Sequence, residues 1–377
     1  MIYRNFKDKK LSALGMGCMR LPCVDGDNSK IDMEAAKEMF AYAFEKGINY
    51  VDTAWGYHHG MSEPVVGEIL ADYPRDSFYL ASKFPGYDLS NMDKVEEIFE
   101  KQLKRCRVDY FDFYLFHCLN EANVGPYLDE KYGIYDYLMK QKANGRIKHL
   151  GFSTHGSLHT MKRFLDAYGK DMEFCQLQIN WLDWELQNAK EKVELVSSYN
   201  IPIWIMEPVR GGSLVKLEPQ YAEELKKLRP DATMAEWAFR FLQGREDFVV
   251  TLSGMSDLSQ IKENIATYEE EKPLSEKEME VILGIASKKI AARELHCTAC
   301  KYCTEYCPME LDIPGIIKLY NELVFPKDGI DIPARIADMD ESKRPSSCLG
   351  CRACEEVCPQ GIRISKMMSD FTERLSK

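Results

Sequence analysis

The chain is 377 residues long, 45% of them hydrophobic, and carries a formal net charge of −11. This length exceeds one small core and predicts a large domain joined to a smaller one. The acidic balance argues against general nucleic-acid binding, which needs a basic face. Residues 1–30 show no secretory signal and no apolar stretch is long enough for a membrane span, so the sequence predicts a cytoplasmic protein.

Up to about residue 270, short and nearly continuous apolar runs alternate with amphipathic helical segments. Such runs are typical of parallel strands that are covered on both faces. Eight strand–helix units favour a closed (β/α)8 TIM barrel over an open doubly wound sheet, and no strand is followed by a GxGxxG turn. The predicted strands are Leu14–Met19, Ile48–Asp52, Phe78–Ser82, Phe111–His117, His149–Ser153, Phe174–Ile179, Ile201–Met206 and Phe248–Ser253.

The two ends of this region carry additional elements. Ile2–Phe6 and Leu11–Leu14 predict a small hairpin that caps one end of the barrel. Ser275–Arg293 is predicted as a charged connecting helix, after which the composition changes. We therefore expect a barrel domain over residues 1–290 and a small domain over residues 291–377.

Four polar residues lie at or just after successive predicted strand ends: Asp52, Tyr57, Lys83 and His117. The carboxyl ends of barrel strands carry the active site, so together these side chains form a candidate acid–base set, although each alone has a structural interpretation. A nearby Lys83 ammonium is expected to lower the pKa of the Tyr57 phenol from about 10 and make it a better acid. Asp52 is expected to hold Lys83 in place, and His117 to orient a substrate carbonyl.

The chain contains 13 cysteines, and five of them stand singly among apolar neighbours, as expected of core or pocket fillers. The other eight form two runs with the spacing C-x2-C-x2-C-x3-C-P, which presents three thiolates to one four-iron (4Fe-4S) cluster and the fourth to another. Structural zinc also takes four thiolates, but it does not need this run with its proline twice. The scattered cysteines are Cys18, Cys23, Cys106, Cys118 and Cys175.

The sequence therefore predicts two 4Fe-4S clusters with crosswise ligand sets. The segment between the two runs is too long for a compact bacterial ferredoxin, and Ile313–Leu323 and Ile332–Met339 are predicted to be helical. This part of the chain resembles the α-helical ferredoxin modules of multi-subunit redox enzymes. One predicted ligand set is Cys297, Cys300, Cys303 and Cys358, and the other is Cys307, Cys348, Cys351 and Cys354.

Residues 1–270 resemble the aldo/keto reductase family. The resemblance lies in Asp52-Thr53-Ala54, Tyr57, Ser62-Glu63, Gly67, Lys83 and His117. It implies that Tyr57 protonates a carbonyl oxygen while NAD(P)H delivers hydride, that Lys83 and Asp52 tune Tyr57, and that His117 orients the substrate. It also implies a nucleotide site that includes Ser153 and Gln178 at the nicotinamide carboxamide, and Ser253, Gly254, Gln260 and Asn264 at the adenosine end.

Several positions depart from the usual family pattern. Thr154 stands where the family has asparagine, and Met206 stands where an aromatic residue lies under the nicotinamide. Glu207 replaces a serine near the pyrophosphate and is expected to repel phosphate unless Arg210 pairs with it.

Two further departures concern short segments. Met255-Ser256 lacks the cation that binds a 2′-phosphate, which weakens the case for NADPH. His58 and His59 lengthen the segment after Tyr57 and are expected at the rim of the pocket.

Hydride transfer moves two electrons, whereas each iron–sulfur cluster passes one. A flavin such as FMN on this chain or a partner, a substrate that accepts electrons singly, or a docking role for the small domain would each explain the combination. The prediction is an oxidoreductase that reduces a carbonyl or quinone-like molecule and exchanges electrons with a ferredoxin or flavoprotein. The alternatives are an electron-transfer or regulatory subunit with a non-catalytic barrel, and a plain NAD(P)H carbonyl reductase.

Overall fold

A computed structural model describes residues 1–291, 295–324 and 332–375 of the chain. The chain divides into two compact units, residues 1–210 with 214–284 and residues 285–377 with 211–213. The placing of a domain boundary at residue 290 stays a prediction.

The first unit contains the predicted barrel. Its strands are β1 (Tyr3–Phe6), β2 (Lys9–Ser12), β3 (Leu14–Gly17), β4 (Tyr50–Asp52), β5 (Tyr79–Phe84), β6 (Phe111–Leu119), β7 (Ile147–Thr154), β8 (Cys175–Gln178), β9 (Ile203–Met206) and β10 (Phe248–Gly254). Strands β3 to β10 are paired in parallel and close in the order β10-β3-β4-β5-β6-β7-β8-β9. This confirms the (β/α)8 TIM barrel and excludes an open sheet.

The hairpin of β1 and β2 packs against the start of the barrel strands. Phe6 and Leu11 are buried in one apolar cluster with Tyr50, Phe113 and Trp204. The rings of Phe6 and Trp204 meet edge to face, with centroids 5.1 Å apart. The hairpin therefore covers the amino ends of the barrel strands. The polar side chains of the predicted site lie at the opposite, carboxyl ends.

Amphipathic helices cover the barrel strands. In the first of them, Ala36, Met39, Phe40 and Ala43 are buried on one face, and Asp32 accepts a hydrogen bond from the amide of Ala35 as an N-cap. The helices up to the second unit are α1 (Met33–Glu45), α2 (Ser62–Leu70), α3 (Val95–Cys106), α4 (Val124–Leu128), α5 (Ile134–Ala143), α6 (Leu158–Tyr168), α7 (Asp183–Leu186), α8 (Ala189–Ser198), α9 (Pro219–Lys226), α10 (Met234–Leu242), α11 (Leu258–Thr267) and α12 (Glu276–Ala291).

Helix α12 is the predicted connecting helix, although the last positions of Ser275–Arg293 lie outside the described residues. The second unit continues with α13 (Tyr302–Glu305), α14 (Ile313–Val324), α15 (Ile332–Ala337), α16 (Ala353–Glu356) and α17 (Ile364–Leu375), which confirms its mostly helical character. Its apolar core contains Ile316 and Ile317 of α14, Phe371 of α17, and the thiols of Cys303 and Cys354. In the described ranges, no helix has the length and apolarity needed to cross a membrane.

Candidate active site and cysteine cavities

The four predicted acid–base residues come together at the carboxyl ends of β4, β5 and β6. Lys83 lies at the centre, with no solvent exposure. Its Nζ donates hydrogen bonds to Asp52 Oδ1 at 2.6 Å, to the backbone oxygen of Thr53 at 2.8 Å and to the Tyr57 hydroxyl at 3.4 Å. All three N–H groups of the ammonium therefore have acceptors, and the cation is fixed beside the phenol.

The ring of His117 closes the other side of this group. Its centroid lies 6.1 Å from that of Tyr57, at an interplanar angle of 78°. The ring of Tyr87 lies 5.1 Å from His117, at 88°. Tyr87 was missed by the sequence analysis, and the only signal for it is an aromatic residue in the loop that follows the strand of Lys83.

Burial decides the protonation of this group. Desolvation raises the pKa of Tyr57 well above 10, and the negative charge of Asp52 acts in the same direction. The pKa of Tyr57 is therefore not lowered below its ordinary value as expected, because the loss of water on burial is the largest contribution. Burial also lowers the pKa of His117 well below 6.5, with Lys83 adding to the effect. At neutral pH the site therefore holds a protonated phenol and an uncharged imidazole.

A buried carboxylate supports the strand that carries Lys83. Glu63 Oε1 accepts hydrogen bonds from Ser82 Oγ and Gln102 Nε2, both at 2.7 Å. Gln102 Nε2 also lies 3.0 Å from the backbone oxygen of Lys83, and Arg105 NH1 lies 3.4 Å from Glu63 Oε2. Burial raises the pKa of Glu63. This network links β5 to helices α2 and α3. Of its members, only the Ser62-Glu63 segment was singled out from the sequence.

Two polar atoms of the acid–base group are buried without a hydrogen-bond partner among the described residues. They are Asp52 Oδ2 and His117 Nδ1. Buried polar atoms are nearly always hydrogen-bonded, and exceptions concentrate at sites that bind ligands or do chemistry. The carboxyl end of the barrel is therefore the candidate active site.

The predicted nicotinamide-contacting residues lie at the ends of the next strands. Ser153 Oγ accepts a hydrogen bond from the backbone amide of Cys118 at 2.8 Å. Gln178 Nε2 donates to Asp183 Oδ2 at 2.7 Å, and Arg210 Nε lies 2.9 and 3.0 Å from the two oxygens of Asp183. Asp183, which the sequence analysis missed, thus joins Gln178 and Arg210 into one buried group.

The residues that depart from the family pattern each have a defined contact in the structure. The hydroxyl of Thr154 donates to the backbone oxygen of Leu119 at 3.0 Å. Met206 ends β9, with its sulfur 3.6 Å from Gln176 Nε2. The carboxylate of Glu207 lies 3.9 Å from Arg20 NH2.

The predicted adenosine-end residues surround the start of α11. Asn264 Nδ2 donates to Ser253 Oγ at 3.2 Å. Gln260 accepts from the amide of Ser256 at 3.0 Å and donates to Asp257 at 2.7 Å. Gly254 ends β10, and a Cβ there would meet the side chain of Arg20 at 3.2 Å.

His58 has a structural role. It is buried, and its Nε2 accepts a hydrogen bond from the amide of Leu21 at 3.1 Å while Nδ1 lies 3.0 Å from the backbone oxygen of Asn28. The expectation of a rim position is wrong for His58, which instead fixes the loop after β3. His59 is exposed.

The eight clustered cysteines line two cavities in the second unit. Eight thiols suit two 4Fe-4S clusters, because each cluster is held by four thiolates. Within the described ranges, no set of three or more His, Cys, Asp or Glu side chains forms a site for a single metal ion. One cavity is lined by Cys297, Cys300, Cys303 and Cys358. The other is lined by Cys307, Cys348, Cys351 and Cys354.

The scattered cysteines behave differently. Cys18, Cys106 and Cys175 are fully buried in the barrel, and desolvation raises the pKa of each thiol. Cys118 is also buried, next to His117, and Cys23 is half-buried. Burial among apolar neighbours keeps the thiols of Cys18, Cys106 and Cys175 protonated and inert.

Known proteins match both parts of the chain. A model of the aldo/keto reductase family matches residues 13–286. This chain belongs to the aldo/keto reductase family. A model of the 4Fe-4S dicluster domain matches residues 296–362, so this aldo/keto reductase carries a ferredoxin-type domain, as the sequence predicted. The family makes the protein an oxidoreductase.

Individual relatives match either the aldo/keto reductase part of the chain or its iron–sulfur part. A probable aldo-keto reductase 1 of Glycine max is 26% identical over 308 residues, which are 72% of this chain and 85% of that protein. The holo form of aldo-keto reductase AKR11C1 from Bacillus halodurans aligns with a TM-score of 0.60 and 25% identity, covering 76% of this chain and 96% of that one. A probable glycolate oxidase iron–sulfur subunit of Bacillus subtilis is 30% identical over 103 residues, 26% of this chain and 22% of that protein.

Proposed function

We propose that this aldo/keto reductase reduces a carbonyl or quinone-like small molecule and exchanges electrons with a redox partner protein through two 4Fe-4S clusters. The observation that carries the proposal is the buried Lys83 ammonium, which contacts both the Asp52 carboxylate and the Tyr57 hydroxyl. Tyr57 is the general acid, Lys83 and Asp52 tune it, and His117 orients the substrate. We place the reaction in the cytoplasm, where free thiols stay reduced.

The acid step follows from the environment of Tyr57. Burial keeps the phenol protonated until a substrate oxygen takes the proton. The phenolate that then forms is stabilised by Lys83, whose contact of 3.4 Å is long for a charge-assisted hydrogen bond and is expected to shorten. Asp52 offsets the cost of burying the Lys83 charge.

His117 acts as a neutral hydrogen-bonding group. Because burial holds its pKa far below 6.5, the imidazole stays uncharged across the neutral range. It therefore orients the substrate oxygen without competing with Tyr57 as a proton donor. The alcohol product receives its oxygen-bound proton from Tyr57.

NAD(P)H, when bound, supplies hydride to the carbonyl carbon. The unpartnered polar atoms of Asp52 and His117 and the amide and hydroxyl groups at the strand ends fit the nicotinamide end of such a cofactor. We assign Ser153 and Gln178 to the carboxamide and place Met206 under the ring. Arg210, Ser253, Gly254, Gln260 and Asn264 are assigned to the rest of the nucleotide.

The two cavities fit iron–sulfur clusters because each is lined by four thiols, three from one run and one from the other. Bound clusters pass electrons one at a time. Buried Cys303 and Cys354 anchor the two sets within the apolar core. We propose a ferredoxin or a flavoprotein as the partner, with FMN on this chain or the partner as the alternative route between single electrons and hydride.

The test starts from protein purified without oxygen. Iron and sulfide analysis and EPR spectroscopy should show two 4Fe-4S clusters, and the extracted nucleotide should be NAD(H) or NADP(H) rather than FMN. Zinc in place of iron, with no sulfide, would contradict the cluster assignment. Release of FMN would contradict the assignment of NAD(P)H as the cofactor and would favour FMN instead.

Tyr57→Phe tests the barrel chemistry, with Tyr87→Phe as the matched control because both remove one hydroxyl from a ring that packs against His117. With NAD(P)H and a panel of dicarbonyls and quinones, Tyr57→Phe should lower kcat about 10²- to 10⁴-fold without weakening nucleotide binding. Tyr87→Phe should retain most of the activity. Equal activity of the Tyr57→Phe and native proteins would show that Tyr57 is not the acid.

A second candidate is an electron-transfer or regulatory subunit with a non-catalytic barrel. It is favoured by the Glu207 carboxylate near the expected pyrophosphate and by the missing 2′-phosphate cation at Met255-Ser256. Fluorescence titration with NADH and NADPH separates the two: the subunit role predicts no binding of either nucleotide.

A further inference from the structure

The two cysteine loops of the second unit have the same backbone shape. Lys301 and Arg352 occupy the same place in the repeat, with φ of 67° and 66°. The residues just before the second cysteine of each run, Ala299 and Gly350, also have positive φ, of 52° and 67°. Differences between the loops therefore come from their side chains rather than from their backbone.

One pair of equivalent residues reverses the usual preference for burial. Thr298, the polar residue after Cys297, is only 2% exposed. Leu349, which follows Cys348, is 67% exposed, more than any other large hydrophobic side chain among the described residues. An apolar side chain at this exposure loses the free energy of burial, which suggests that it is kept for a contact.

This exposed side chain lies at the edge of a cavity. Leu349, Cys351 and Arg352 all line the cavity of Cys307, Cys348, Cys351 and Cys354. Cys351 is the exposed member of the eight clustered cysteines, whereas its counterpart Cys300 is half-buried. The edge of the second cavity thus reaches the surface of the unit at an apolar side chain.

The sequence segments that carry the residues of this edge are locally basic, although the chain as a whole carries −11. Residues 342–354 contain three cations and no acidic residue, and residues 357–369 contain two cations and no acidic residue. Of the two glutamates between these segments, Glu355 accepts a hydrogen bond from the amide of Ser365 at 2.7 Å and Glu356 is exposed. The cations are Lys343, Arg344, Arg352, Arg363 and Lys366; Lys343 pairs with Glu310 at 3.2 Å, and Arg352 itself lines the cavity.

We infer that the loop Cys348–Arg352 is the docking surface for an acidic, one-electron carrier protein, with Leu349 as the apolar contact and Arg352 as the steering charge. The inference rests on the proposed function, since it needs a cluster in the second cavity. In the encounter, the reduced carrier is oxidised by one electron, which passes to the cluster held there, and no bond or proton moves. Such encounters have small interfaces and depend on charge complementarity for their rate.

Arg352→Glu and Lys301→Glu form a matched pair for the test, because both reverse one charge at equivalent positions of the two loops. The holoprotein is mixed without oxygen with a dithionite-reduced, acidic bacterial ferredoxin, and the second-order rate of electron transfer is followed by stopped flow. At low salt, Arg352→Glu should lower this rate about tenfold, and Lys301→Glu less than about twofold. At high salt the difference should disappear, because screening removes the steering.

Leu349→Gln tests the apolar contact. It should lower the rate severalfold at every salt concentration, and calorimetric titration with oxidised ferredoxin should show weaker binding. Iron, sulfide and EPR spectra should be unchanged in all three variants, which shows that the clusters are intact. Direct reduction by dithionite should also be unchanged.

Equal losses in Arg352→Glu and Lys301→Glu, or no loss in Arg352→Glu and Leu349→Gln, would overturn the docking surface. A loss of NAD(P)H-driven cluster reduction with normal transfer from ferredoxin would also overturn it. Absence of iron and sulfide would instead overturn the proposed function. The ferredoxin assay does not use Tyr57, so a failure of the barrel chemistry leaves its result readable.

Discussion

The barrel and the cysteine-rich unit encode their sites in opposite ways. In the barrel, the acid–base group is assembled from residues that lie far apart in the chain, such as Asp52 and Lys83, which meet because β4 and β5 are neighbours. In the second unit, each cavity takes three of its four cysteines from one run of seven residues, as the spacing from Cys297 to Cys303 shows.

The two regions also treat polar groups differently. The barrel buries charges and compensates them within its own structure, so that Lys83 is matched by Asp52 and Arg210 by Asp183. The cysteine cavities are lined by thiols rather than by paired charges. Protonation in the barrel therefore depends on burial, whereas the grouping of thiols in the second unit depends on spacing along the chain.

The largest expected effect comes from breaking the buried ion pair of the barrel. Lys83→Met leaves Asp52 buried without its counter-charge, which should cost about 3–5 kcal/mol in the free energy of unfolding and remove activity. The double variant Lys83→Met/Asp52→Asn should recover most of the stability but none of the activity. Denaturant unfolding and carbonyl-reduction assays measure the two effects, and full stability of the single variant would contradict them.

Replacing a crossing cysteine tests the second unit. Cys358→Ser should lower the iron content from about eight to about four atoms per chain. Its remaining EPR spectrum should match that of Cys303→Ser, which lines the same cavity, and differ from that of Cys354→Ser, which belongs to the same run. A match with Cys354→Ser would show that each run holds its own cluster.

A pH titration sharpens the contrast in burial. Burial lowers the pKa of His155 to about 4, from the ordinary 6.5. As the pH falls from 6.5 toward 4, His155 binds a proton in the unfolded chain but not in the folded barrel. The free energy of unfolding therefore decreases over this window. His155→Asn should flatten the decline by about 1–2 kcal/mol at pH 5. Parallel stability curves of the two proteins would contradict the shift.

The smallest effects are expected at exposed ion pairs of either unit. Lys162 pairs with Asp166 on α6, and Arg374 with Asp370 on α17, each at the i,i+4 spacing. Because water and salt screen such pairs, Lys162→Ala and Arg374→Ala should each change the melting temperature by less than about 1 °C. A larger change in only one variant would show that the units differ at their surfaces as well.

Much of the fold followed from local pattern. The strands were predicted within a few residues, since apolar runs such as Phe111–His117 are long and bounded by helical segments. Strand ends differ from the prediction by two residues at most, as at the start of β7, which begins at Ile147 rather than His149. Pairing with the neighbouring strand β6 extends it, and this cannot be read from one segment.

The candidate site was predicted less completely. Asp52, Lys83 and His117 were found because polar residues at the ends of apolar runs stand out. Asp183 and Gln102 were missed because they lie within helices and join the candidate site only through contacts with other elements. The roles of the acid–base and nucleotide residues stay predictions until they are tested.

The sequence by itself determined the spacing of the thiols, the number of barrel units and the family of the chain, because each depends on neighbours along the backbone. Only the tertiary structure decided that Tyr57 keeps its proton more firmly than a free phenol, that His58 is buried, and that Leu349 is exposed while Thr298 is not. These properties depend on how much water each side chain loses, and that loss is fixed by packing between segments distant in the chain.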